Sequence, residues 1–223
     1  MGWSRLLAAL AAFFVLHAIP VRPGLRSRLV SMLGRAGFGI AYSTLSLATL
    51  ALVLAAADRA PFVALWPEPP GAHWLVLGAM GAAGLILALG LGRPNPFSFG
   101  GGRTEAFDPD RPGILRWVRH PVLAAVLLWS GAHLAVNGDL AHALTFGSFA
   151  AFAAMGMRAL DRRRQRDWGL AAWRGCVARM RAAPPRVTRG AIPRLAAAVA
   201  GLALLLWAHP WIAGVGVLRR FVP

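Results

Sequence analysis

The sequence predicts an all-α integral membrane bundle of six transmembrane helices, N-terminus outside, with an interfacial amphipathic helix in the last inner loop. Three observations carry this expectation. The 223 residues are 57% hydrophobic and only 14% charged, where soluble domains carry about a quarter charged residues. The apolar residues fall into six blocks of bilayer-spanning length, about twenty residues each. The basic residues, all of them arginine, crowd into alternate connections between those blocks.

In chain order the blocks are 3–19, 37–57, 73–92, 121–136, 139–157 and 192–218. The first begins with Arg5 ahead of a leucine- and alanine-rich run, in the manner of a secretory signal. No A-x-A site follows, and Pro20 and Pro23 occupy the next turn, so it reads as an uncleaved span. The second has no charge, and the third is rich in Gly and Ala, from Gly78 to Gly84, which lets helix backbones pack closely in lipid. The fourth is short but very apolar. Asn137-Gly138-Asp139 is a tight turn that makes Asp139 the N-cap of the fifth. The sixth is long enough to tilt or bend at Pro210.

Orientation follows from the arginines. With the N-terminus outside, the inner connections hold twenty of the 24, leaving Arg5, Arg59, Arg219 and Arg220 outside. The formal charge of +16 is therefore topogenic, and nucleic acid is excluded as a partner; the partner is the lipid bilayer of a bacterial inner membrane. Two inner connections are longer than linkage requires. The stretch 93–120 is rich in turn formers, including Gly100-Gly101-Gly102, with no phosphate-loop motif behind them. In 160–184, Trp168, Ala172, Trp173, Val177 and Met180 recur at helical spacing against Arg174, Arg179 and Arg181, which reads as the interfacial helix.

The chain is expected to form a single membrane domain over 1–223. One cysteine, Cys176, rules out a disulfide framework, a cysteine-rich zinc site and covalent haem attachment. Carboxylates are nearly missing from the spans, which argues against a carboxylate relay or di-iron site, and no nucleophile elbow is visible. Histidine remains. His17 lies late in the first block, His120 opens the fourth, His133 lies near its far end, and His209 lies within the sixth. His73 and His142 sit at helix ends, where an interfacial or hydrogen-bonded role is the ordinary one. Neutral imidazole tolerates lipid and binds metals, so a site here is built from imidazole, and a noncovalent haem b on two histidines fits. His120, between Arg119 and Pro121, equally suits helix-start capping or an anion contact. Arg116, Arg119 and Arg103 are the cations placed for haem propionates, and Trp129 and Trp207 are placed to line a macrocycle or a polyene.

These residues resemble the NnrU family, whose relatives include 15-cis-zeta-carotene isomerases. The resemblance runs through His17-Ala18-Ile19-Pro20, Asn95-Pro96-Phe97-Ser98-Phe99-Gly100 and Phe107-Asp108-Pro109-Asp110-Arg111-Pro112-Gly113. It continues through Arg119-His120-Pro121, Ala132-His133-Leu134, Asn137-Gly138-Asp139, Leu160-Asp161-Arg162-Arg163 and Ala208-His209-Pro210-Trp211. It implies haem b that changes axial coordination with redox state to isomerise a cis double bond of a hydrophobic polyene such as a carotenoid, or a role in nitrogen-oxide metabolism. The isomerases' ligand histidines match His17 and His133; the cysteine three residues before the second is Ser130 here, which departs from a thiolate ligand. Counted from the outer helix ends, His17 lies about 21 Å deep and His133 about 6 Å. That pair therefore needs helix tilt, and His209 or His120 matches the depth of His17 more closely.

Two other functions fit parts of the sequence. Arg119-His120-Pro121 is shared with prenylcysteine-type, S-adenosylmethionine-dependent membrane methyltransferases, although Leu160-Asp161-Arg162-Arg163 stands where those carry paired glutamates. The small-residue face of the third block suits a non-catalytic membrane assembly protein.

Overall fold

The computed structural model describes residues 2–99, 104–185 and 190–217. Among these, every regular element is helical, and the only strand-like feature is an isolated antiparallel bridge between Ala64 and Asp139. The chain packs as two compact units, Met1–Pro67 with Gly138–Thr145, and Glu68–Asn137 with Phe146–Pro223.

The first unit is built on α1 (Gly2–Ala18) packed against α2 (Pro23–Asp58). Leu6, Ala9, Leu10 and Phe13 of α1 are buried, the i, i+3, i+4, i+7 spacing that puts apolar side chains on one helical face. Val53, Ala56 and Ala57 are their buried counterparts on α2. Pro23 opens α2, where its missing N–H costs nothing. The helix is interrupted at Gly34, whose φ of 71° and ψ of 168° are not helical and belong to a region essentially reserved for glycine. Gly34 therefore separates a first segment bearing Arg26 and Arg28 from a longer one in which only the end residues, Arg35 and Asp58, are charged. The loop after α2 is clasped to the start of α5 (Leu140–Trp168). Leu65 and Trp66 N–H donate to the Gly138 carbonyl at 2.7 and 3.1 Å, and Leu140 N–H donates to Val63 O at 2.9 Å. A Cβ on Gly138 would lie 1.7 Å from Trp66 O, so only glycine fits.

In the second unit, α3 (Ala72–Gly90) packs against both α4 (Pro121–Val136) and α7 (Ala191–Ala213). Gly90 meets Pro121 so closely that a Cβ would fall 2.5 Å from the proline ring. The long connection between α3 and α4 thus leaves and returns at one point. Arg194 of α7 donates to Ala88 O and Leu91 O at 3.0 and 2.6 Å, satisfying carbonyls that the end of α3 leaves open. Gly169, at a φ of 81°, ends α5 and opens α6 (Leu170–Ala182).

Among the described residues, four helices are long and apolar enough to cross a membrane: Gly24–Asp58, Ala72–Gly90, Leu140–Trp168 and Ala191–Ala213. The other two blocks form apolar helices of 17 and 16 residues, Gly2–Ala18 and Pro121–Val136. Apolar side chains cover much of the surface; on α7, Ile192, Val199, Trp207 and Trp211 are all more than half exposed, a surface suited to lipid. The helix read from 160–184 is α6, but its apolar face is covered by the chain itself. Val177 and Met180 are buried against Phe97 and Leu115, with Trp168, Trp173 and Cys176 around them. Gly100-Gly101-Gly102, Arg103, Arg219 and Arg220 lie outside the described residues.

Candidate functional site

In His17, His120, His133, His142 and His209 a hydrogen bond orients the ring. In the first unit, His17 is in the last turn of α1 and donates Nδ1–H to the Phe13 carbonyl one turn back, at 3.0 Å. Its ring stacks on Phe13 with centroids 4.0 Å apart and meets the edge of Tyr42 at 5.6 Å. The Tyr42 hydroxyl donates to His17 O at 3.2 Å, tying the end of α1 to α2. A carbonyl only accepts, so the bond to Phe13 O sets the proton on Nδ1 and leaves Nε2 as the unprotonated nitrogen.

In the second unit, His133 repeats this arrangement on α4: Nδ1–H donates to Trp129 O at 2.8 Å. Its ring lies among Trp129 and Phe146, at 5.7 and 5.1 Å, and Asn137 Nδ2 donates to the His133 carbonyl at 2.8 Å. Ser130 is fully buried and donates to Val126 O at 2.6 Å. His209 on α7 also donates through Nδ1, to Val215 O at 2.9 Å, just beyond Gly214, whose positive φ ends the helix.

His120 is oriented the other way. It stands at the N-cap position of α4 but makes no side-chain capping bond; it is 3% exposed and directs Nε2 at Asp161 Oδ1 of α5, 3.0 Å away. The same carboxylate receives Arg119 through Nε at 3.3 Å and Nη2 at 2.5 Å. Arg119 is held from two further sides. Asn95, itself 1% exposed, donates to the Arg119 carbonyl at 3.0 Å, and the guanidinium lies 5.5 Å from the Trp173 ring, within cation–π range. Burial is the largest influence on His120 and holds its imidazole below the ordinary value; Asp161 pulls the other way without prevailing. His120 is therefore neutral near pH 7, with the Nε2 proton on Asp161 and its buried Nδ1 without a hydrogen-bond partner.

Of the residues picked out in the sequence, Arg119 and His120 come together on Asp161, within the second unit. His133 and His120 share α4 but stand thirteen residues apart, about 20 Å along the axis, too far to meet on one ion. Arg116 donates to the Ala183 carbonyl, closing the end of α6. His17 belongs to the first unit and His133 and His209 to the second. Among the described residues no group of three or more His, Cys, Asp and Glu side chains could hold a metal ion.

Sequence reasoning passed over two partners. Asp161 appeared only inside a basic motif, its carboxylate hidden among arginines. The second is His142: its Nδ1 lies 2.6 Å from Asp139 Oδ2 and its Nε2 lies 4.0 Å from Asp58 Oδ1. Asp139 is the N-cap, accepting from Ala141 and His142 N–H, each at 3.1 Å. Asp58 ends α2, and only folding brings it to His142.

The family model for NnrU protein matches residues 5–217, nearly the whole chain. The chain belongs to the NnrU family. No curated protein and no solved structure is significantly similar to it. The matched segment runs from within α1 to beyond α7, so His17, His120, His133 and His209 all fall inside it.

Proposed function

We propose that this NnrU protein crosses the bacterial inner membrane six times with its N-terminus outside, and binds haem b through His17 and His133. The resemblance to the carotene isomerases picks this pair, and one observation supports it. Both histidines donate Nδ1–H to the carbonyl four residues earlier, at 3.0 and 2.8 Å. An axial ligand needs this tautomer: neutral imidazole with its second N–H tied down, so that ring orientation and basicity are set before the metal arrives. Phe13 beside His17 and Trp129 beside His133 supply flat apolar surface of the kind a porphyrin needs. His209 has the same tautomer and is the substitute ligand. His120 is not, because its Nε2 is committed to Asp161. No thiolate competes, since Ser130 holds the position three residues before His133.

When bound, haem b supplies a redox-active iron inside an apolar bundle, suited to redox-gated isomerisation of a cis polyene such as a carotenoid or to nitrogen-oxide metabolism. The protein's own residues hold the rings and exclude water. Arg116 and Arg119 each spend donors on a protein acceptor, the Ala183 carbonyl and the Asp161 carboxylate, and contact with the propionates would fall to the N–H groups that remain.

The test is stoichiometry. Protein expressed with haem supplied should contain about one haem b per chain by pyridine hemochrome, and His17→Ala or His133→Ala should each lower that occupancy. Apoprotein with no Soret band under those conditions would reject the proposal.

A further inference from the structure

A furrow of about 480 Å³ lies between α1 and α2, inside the first unit and apart from the histidine rings. Its walls are small and apolar: Ala8 and Ala12 from α1, Leu52 and Ala56 from α2. The sequence makes this shape. Ala8 and Ala12 are one turn apart on one face of α1, as Leu52 and Ala56 are on α2, so alanine leaves the space between the helices unfilled. At one end stand two cations, Arg5 and Arg59.

Among the described residues neither arginine takes part in an ion pair. Asp58, next to Arg59 in the chain, is directed at His142. Arg59 spends one N–H on the Ala55 carbonyl at 3.1 Å, which holds its side chain back along α2. Arg5 and Ala12 are seven residues apart, about 10 Å along the helix, so the slot continues well beyond the charged end.

We propose that this furrow binds an anionic phospholipid, its phosphate between Arg5 and Arg59 and one acyl chain along the alanines. The two parts of the site demand two parts of one ligand. Free phosphate would satisfy the arginines and leave the slot empty; an uncharged polyene would fill the slot and leave both cations unmatched. A zwitterionic lipid carries its own positive group to the same place, next to two more. Lipid and detergent tails are as apolar as the slot, so the chain is held by close packing against the alanines rather than by transfer from water, and chain and headgroup both select.

Native mass spectrometry of the full chain in detergent tests this, with phosphatidylglycerol and phosphatidylcholine of equal chain length as probes. One phosphatidylglycerol should be retained, with phosphatidylcholine lower by roughly tenfold, the order expected for charge recognition near a membrane surface. The Arg5→Gln/Arg59→Gln double variant should erase that preference. Ala8→Leu/Ala12→Leu fills the slot while keeping both charges, and should lower retention of the long-chain lipid. Arg22→Gln/Arg28→Gln, equally cationic but distant along α2, should behave as the parent. Equal retention of the two lipids would overturn the proposal, as would retention unchanged in both furrow variants. So would equal binding of a short-chain phosphatidylglycerol, or displacement by inorganic phosphate alone, since each means the slot takes no part. Haem content reads the histidine proposal separately and is not expected to change in the furrow variants.

Discussion

His120 donates Nε2–H to Asp161 at 3.0 Å, and Arg119, the preceding residue, donates to the same carboxylate through Nε and Nη2. One acid on α5 thus fixes two consecutive residues at the entrance to α4. Asn95 reaches the same point from the connection after α3. The pairs are largely buried, with 18% of the Asp161 side chain exposed and 23% of Arg119. Removing the acid leaves a guanidinium without its partner, which costs more than the pair itself contributes.

Asp161→Ala should therefore lower stability by about 2–4 kcal/mol, read as a lower Tm in detergent. Asp161→Asn, which can still accept one hydrogen bond, should lose less. Equal losses would mean that charge, not geometry, sets the value of this contact.

Acidification should act through His120. Burial keeps its folded pKa below the ordinary 6.5, so as pH falls the unfolded chain takes the proton first. Stability from this residue is complete above pH 6.5 and declines as pH drops through the lowered folded value. His120→Gln should flatten that part of a Tm-against-pH profile. A parent profile that rises on acidification in this range would contradict the assignment of a neutral His120.

Two glycines should resist substitution for different reasons. Gly138→Ala puts a methyl group 1.7 Å from Trp66 O, and the clasp to Leu65 and Trp66 must open to admit it. Gly34→Ala meets open space and suffers only from its φ of 71° and ψ of 168°, worth about 1–3 kcal/mol. Thermal unfolding should rank Gly138→Ala as the more damaging change.

Asp139→Ala removes the N-cap of α5 and one partner of His142 together. The cap alone is worth about 1 kcal/mol. His142→Ala keeps the cap and should cost less. If the two losses are equal, the contact between Asp139 and His142 outweighs the cap.

What was legible in the sequence was local. Each apolar block folds as a helix, and the first, third and fourth lie within two residues of their expected limits; α2 begins fourteen residues before the apolar block and α5 runs eleven beyond it, because arginine-rich sequence is itself a good helix former. The Asp139 cap was legible for the same reason, its acceptors lying two and three residues away. The Gly34 break was not, because glycine in an apolar or arginine-rich run carries no local sign of the φ it will adopt. The covering of α6 was not, because it depends on Phe97 and Leu115, which approach only once the connection after α3 has folded back. Asp161 was hidden in a run where arginines follow it at once, so its partners, forty-one and forty-two residues away, left no pattern to read. The shared tautomer of His17 and His133 needs coordinates: spacing places the two residues in helices, but the ring nitrogen that faces a carbonyl is a matter of rotamer.

The central claim is that His17 and His133 hold one haem b. A reduced-minus-oxidised absorption spectrum of the purified full chain tests it most directly, recorded beside His17→Ala, His133→Ala and His209→Ala. The account predicts the sharp bands of a six-coordinate, low-spin haem in the parent and in His209→Ala, and their loss or broadening in each of the other two. A parent-like spectrum from both His17→Ala and His133→Ala would contradict it.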